Sequence, residues 1–289
     1  MSVYLDEFLI DVKPQKEWGW LVITYLFLGG AGAGLFLVSL YMGHPWAQVW
    51  GLILLLIGTL FLMLDLGRPG RFWRAFSRAR TSWISRGCYF ITALVLLGGL
   101  NILIELTMSD SGMLTTIIRV GAAAAAVAVM IYTGFVLSPS AAIPFWNSTF
   151  FPIVFFAYSL LAGIDFLILA SPLLPSPAID VAHLEKIQFG LVLLCLLLVI
   201  SHLSVMSGSA TAARKSIQLL TRGKWAVLFL GGVIGVGLVV PLLLAWPMLW
   251  QAGFPAVFAI TAVLALLRLF GDYLFRFLVI RAGLYDPLL

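Results

Sequence analysis

The stretch Trp18–Met42, WGWLVITYLFLGGAGAGLFLVSLYM, holds no charged residue anywhere along its length. Crossing the hydrocarbon core takes about 20 mostly apolar residues at roughly 1.5 Å of rise each, so this run can span a bilayer. The same ruler marks seven more: Trp46–Leu66, Cys88–Thr107, Leu114–Leu137, Phe150–Ser171, Ile187–Met206, Trp225–Met248 and Pro255–Ile280. The pattern predicts an all-α membrane protein, one transmembrane domain over residues 1–289 with eight membrane helices. Composition agrees: 10% of residues are charged and 62% hydrophobic, where a soluble domain carries about 25% charged. With eight spans both termini lie on one side, called face A. Met1–Lys16 is mixed in charge and the first apolar run is too long for an h-region, so no cleavable signal peptide is expected.

The net charge of +5 follows the loops and does not point to nucleic acid. Arg68, Arg71, Arg74, Arg78, Arg80 and Arg86 lie between spans two and three, and Arg214, Lys215, Arg222 and Lys224 between spans six and seven. Both loops sit on face A, so the positive-inside rule makes that face cytoplasmic in a cell (inner) membrane. The first of these loops also carries Phe72, Trp73, Phe76 and Trp83. Such a loop suits anchoring on membrane lipids, and equally docking of an acidic soluble partner through Arg71, Arg74, Arg78 and Arg80. Cys88 and Cys195 have no metal-binding spacing and read as core residues. His44, His183 and His202 are too few and too scattered for haem, since a membrane b-haem needs facing axial histidines.

Polar residues inside spans are costly in lipid and carry the functional signal. Tyr25, Tyr132 and His202 fall at one depth, about 10 Å below face A by helical rise. Asp65, Arg68, Trp83 and Ser85 sit at the helix ends above them. Convergent polar groups in an apolar setting suit a small-molecule site. Asp65 and Arg68, three apart, are expected to pair and clamp the loop. The glycine-rich Gly29–Gly34 run either packs helices closely or leaves room for a flat ligand. Deeper, Arg268 and Asp272 are four apart and positioned to pair, with Arg276 a turn beyond. With Asp165, Arg119 and Glu105 they form either a proton relay from face B or a set of register-fixing ion pairs.

Phe27–Gly34 (FLGGAGAG), Asp65–Phe72 (DLGRPGRF), Thr81–Gly87 (TSWISRG), Tyr132–Asn147 (YTGFVLSPSAAIPFWN) and Gly271–Gly283 (GDYLFRFLVIRAG) resemble the NrfD/PsrC family over nearly the whole chain. The resemblance implies eight helices in two four-helix bundles, with no haem or metal in this chain. It implies a menaquinone or ubiquinone near face A. It also implies a docked iron–sulfur electron-transfer subunit, and through it a molybdopterin or multihaem catalytic subunit. Where relatives supply an Asn and a His from the first helix, this sequence has Val22 and Tyr25, so Tyr25 stands as the substitute. Family partners are often exported, which would set face A outside, against the arginine count. Two rivals stay open: an ion or proton transporter, and a structural membrane anchor without quinone chemistry.

Overall fold

The computed structural model describes residues 12–107, 112–175, 179–250 and 258–286. Its long helices are α1 (Trp20–Met42), α2 (Pro45–Asp65), α3 (Trp83–Thr107), α4 (Met113–Phe135), α5 (Phe150–Ala170) and α6 (Val181–Ser207). The short α7 (Thr211–Thr221) follows, then a π-helical stretch Val227–Val239 that runs into α8 (Val240–Trp250), and finally α9 (Phe258–Arg281). Among the described residues, seven helical segments are long and apolar enough to cross a membrane; α9, which carries Arg268, Asp272 and Arg276, is not among the seven. The expected start of the last span at Pro255 lies outside the described residues, as do parts of the connections Met108–Gly112, Pro172–Lys186 and Pro247–Phe254.

Neighbour relations form two closed rings. Helices α1, α2, α3 and α4 touch in that order and α4 returns to α1; α5, α6, the π/α8 segment and α9 do the same. The rings join along α1, α4, α5 and α9. Helices α1 and α5 are 78% and 67% buried over their most apolar stretches against 28–33% for the other five of these spans, and α9 buries much of its length beside them, so the seam between the rings is the core. Glycine makes that seam possible. A Cβ on Gly163 of α5 would meet the Gly34 backbone of α1, and one on Gly34 the Ser159 carbonyl of α5; within the first ring, a Cβ on Gly32 would stand 2.6 Å from the Leu55 nitrogen of α2. Membrane helices lacking a hydrophobic drive gain their packing through such close approach.

Several boundaries move from expectation. Helix α3 starts at Trp83 rather than Cys88, and α6 at Val181 rather than Ile187, with the Asp180 side chain accepting from the His183 backbone N–H at 3.0 Å. That N-cap satisfies a helix-end donor and lets α6 begin in polar sequence. The basic loop after α6 folds as α7, burying Ala212, Ala213, Ser216 and Leu220. The π stretch precedes Pro241, whose missing N–H and ring disfavour α geometry just upstream. Near face A, strands β1 (Lys13–Pro14) and β2 (Leu284–Tyr285) pair antiparallel, so the two ends of the described chain meet.

Candidate functional site

A cleft of about 450 Å³ lies within the first ring, between α1, α2, α3 and α4. Its wall is almost wholly apolar, and the 3₁₀ segment Pro69–Arg78 roofs it with Phe72, Ala75 and Phe76. Leu56 on α2 and Leu96 on α3 belong to its rim and are exposed on the lipid side.

Tyr25 and Tyr132 face each other in this cleft. The Tyr25 hydroxyl donates to that of Tyr132 at 2.6 Å, and both residues are only 2% exposed. The Tyr132 proton has no acceptor among the described residues, so one donor is left for a ligand. Sequence dictates this placement locally: Gly87 on α3 lacks the Cβ that would collide with the Tyr132 ring. At the mouth, Glu17 and Asp65 add carboxylates. Tyr285 on β2 donates to Glu17 at 2.7 Å, which holds the Glu17 carboxyl below its usual range and pushes the Tyr285 phenol up.

Four other residues expected at this site lie elsewhere. His202 faces the second ring, packed on Phe145 and Phe151 with its Nδ1 3.3 Å from the Ser148 hydroxyl. Equal depth did not mean equal direction, because α6 does not border the cleft. Trp83 stacks on Phe135 at 4.3 Å under the Arg86 guanidinium, and Ser85 is buried outside the cleft wall. Arg68 is exposed and forms no ion pair with Asp65. The helix stops at Asp65 and the backbone turns extended at Leu66, so the two residues no longer share a face.

The deep charges form three separate networks. Arg268 donates from Nε to Asp165 (2.8 Å), with a bidentate fork to Glu185 (3.0 and 3.1 Å) and a further bond to Gln188 (2.8 Å). Gln188 in turn donates to Asp165 at 2.6 Å. The expected Arg268–Asp272 pair is not made: Asp272 accepts from Arg276 at 2.7 Å, which also donates to the Leu26 carbonyl and the Ser159 hydroxyl. Arg268 instead turns toward the two carboxylates of α5 and α6. Arg119 pairs with Glu105 at 3.0 Å, joined by Gln48 and Asn101. Glu185 falls outside the span expected from Ile187, and Gln188, just inside it, carries no charge to mark it, although their i,i+3 spacing puts both on one face. Among the described residues no group of metal-ligating side chains comes together.

Residues 10–286 match the family described as "Polysulphide reductase, NrfD". The chain belongs to the NrfD family. It is 27% identical to the C subunit of the polysulfide reductase of Wolinella succinogenes, over 95% of this chain and 96% of that protein. It is 26% identical to protein NrfD of Escherichia coli K12, over 92% and 94%. In this NrfD-family chain three of the family-like stretches border the cleft: Asp65–Phe72 leads into its roof, Thr81–Gly87 begins α3 beneath Tyr132, and Tyr132–Asn147 starts at its tyrosine, while Gly271–Gly283 carries Arg276 to the back of α1.

Proposed function

We propose that this chain is the quinone-reactive membrane subunit of an oxidoreductase complex. It passes electrons between the membrane quinone pool and an iron–sulfur subunit docked on face A, which connects to a molybdopterin or multihaem catalytic subunit. The carrying observation is the apolar cleft with its hydrogen-bonded Tyr25–Tyr132 pair. The likeness to a polysulfide reductase subunit supports work within a complex. On this reading the rings are two four-helix bundles, α9 is the eighth span, and face A is cytoplasmic.

The residues fit either menaquinone or ubiquinone. A quinone supplies a two-electron, two-proton couple when bound. Tyr132 donates its free hydroxyl proton to a ring carbonyl, and Tyr25 fixes the direction of that donor. The apolar wall excludes water, and the rim at Leu56 and Leu96 lets an isoprenoid tail out into lipid. Glu17 and Asp65 hold protons where the cleft meets face-A water.

Removing one such hydrogen bond costs about 0.5–1.5 kcal/mol. Tyr132→Phe should weaken binding of a hydroxyquinoline N-oxide inhibitor by about 2- to 13-fold on that basis, and lower quinol-linked turnover. Tyr25→Phe should have a smaller effect. Quinone extraction and mass spectrometry on the purified complex test occupancy directly; a quinone-free complex with unaltered Tyr132→Phe kinetics would place the site elsewhere.

A second reading has its own observation. Two carboxylates, Asp165 and Glu185, meet a single guanidinium at Arg268, and one Asp165 oxygen is buried with no hydrogen-bond partner among the described residues. Such an excess acceptor suits a proton path through Asp165, Arg268 and Asp272, with Arg119 and Glu105 in the other ring.

A further inference from the structure

The segment Pro69–Arg78 has two faces with different chemistry. Phe72, Ala75 and Phe76 line the cleft, while Arg71, Trp73, Arg74 and Arg78 are exposed and take no part in its lining. Among the described residues, none of the guanidiniums of Arg71, Arg74, Arg78 and Arg80 meets a carboxylate. Arg74 lies over its own neighbour Trp73 at 5.4 Å. This is a concentrated and unneutralised positive surface, with Trp and Arg in the combination that anchors protein interfaces.

The segment is also weakly held. Its hydrogen bonds to α3 fall at its C-terminal end: Tyr89 donates to the Phe76 carbonyl at 3.1 Å, and Arg86 donates to those of Ala79 and Arg80 at 2.9 and 2.8 Å. Among the described residues no hydrogen bond joins the stretch Pro69–Trp73 to α2 or α3; its own are the local backbone bonds of its 3₁₀ turns and that from the Arg71 N–H to the Arg68 carbonyl. The bridge from α2 to α3 is also broken in two, its 3₁₀ turns being interrupted by a non-helical kink at Arg71 (φ −113°).

We infer that Pro69–Arg78 is a lid with two partners: an acidic soluble protein docking on its arginine face presses Phe72 and Phe76 onto the cleft and closes it. The inference rests on the proposed function for what fills the cleft, but not for the lid's movement. Linkage then requires reciprocity: whatever factor the docked partner adds to the ligand's affinity, the ligand adds to docking. On this inference the roof of the complex-free subunit covers the cleft loosely, with Phe72 still exposed, and assembly presses it shut.

The protein carries its own probe. Cys88 is half-buried and lines the cleft under the lid, whereas Cys195 is fully buried and serves as the internal control. The complex is purified through a tag on this subunit and compared with the same complex stripped by salt and with an Arg71→Glu/Arg74→Glu variant. A sulfonated, membrane-impermeant maleimide is added from the aqueous phase, and the mass shift at each cysteine is followed. Cys88 in the intact complex should react about fivefold or more slowly than in the stripped sample, and hydroxyquinoline N-oxide should bind tighter by a similar factor. Phe72→Ser/Phe76→Ser should keep the partner but lose the protection.

Equal Cys88 rates in intact and stripped samples overturn the lid. So does protection that survives Phe72→Ser/Phe76→Ser, because the partner then merely covers the mouth. Protection of Cys88 by the inhibitor alone is read separately: if it is absent while partner protection is present, the lid stands and the quinone reading falls.

Discussion

Gly87 has no side chain, and the space one would fill belongs to the ring of Tyr132. Gly87→Ala therefore has to push Tyr132 aside, which breaks its 2.6 Å bond with Tyr25. Overpacking of this kind costs about 1–3 kcal/mol. We expect a lowered unfolding temperature in detergent together with weakened inhibitor binding. Gly87→Ala/Tyr132→Leu should recover the stability but not the binding, which separates fold from site; recovery of both would remove Tyr132 from the ligand's contacts. At this scale the sequence was half legible. Counting residues along a helix gives depth, and depth brought Tyr25 and Tyr132 together. His202 has the same depth but projects from a helix that does not border the cleft, and direction around the axis depends on neighbours that counting does not reveal. Glu17 was invisible for another reason: it reaches the mouth only because the two ends pair as β1 and β2 and Tyr285 holds it there.

The helices show a similar division. Length and hydropathy marked nearly every span, since lipid forbids unsatisfied backbone and leaves the helix as the only open-ended solution. Ends were less legible because caps and polar starts extend beyond the apolar run, as at Val181 after Asp180. Helix α7 was hidden by Arg214 and Lys215, which read as loop although small residues at the right spacing bury one face. Glycines can be told apart only in three dimensions. A Cβ on Gly163 would strike the Gly34 backbone, and backbone at a helix crossing has nowhere to go. One on Gly99 of α3 or Gly190 of α6 would meet nothing within 4 Å. Gly163→Ala should thus impair folding or abolish expression. Gly99→Ala and Gly190→Ala should be neutral or stabilising by about 0.5–1 kcal/mol, from the lower helix cost of alanine. Thermal unfolding of the three variants checks the ordering, and a tolerated Gly163→Ala would mean that α1 and α5 can separate at little cost.

Taken as a whole, the molecule is two rings held at one seam, and α9 is tied into that seam by charge. Arg276 binds α9 to α1 through the Leu26 carbonyl and to α5 through Ser159, while Arg268 binds it to α5 and α6 through Asp165 and Glu185. Leu26 also lines the cleft, so one of these ties ends at the wall of the proposed quinone site. The sequence foretold buried charges in α9 but paired Arg268 with the wrong carboxylate, because a helical repeat of four also fits Arg276 with Asp272, and only the packing of α6 reveals what Arg268 meets. The tie and the proton path make opposite demands on the Arg268 network. Breaking a buried pair by removing one partner costs about 3–5 kcal/mol, because the other charge is left uncompensated. Arg268→Met strands two carboxylates at once and should prevent assembly on either reading. Asp165→Asn is the discriminating change: it removes the surplus negative charge and keeps an oxygen that can accept from Arg268 and Gln188. If the network is a tie, the Asp165→Asn complex should assemble with undiminished thermal stability, turnover and proton stoichiometry in vesicles loaded with a pH-sensitive dye. If the carboxyl carries protons, the same complex should assemble and turn over quinol while its proton signal is lost. We expect the first outcome, because no hydrogen bond among the described residues links this network to the Arg276–Asp272 pair or to the Glu105–Arg119 pair.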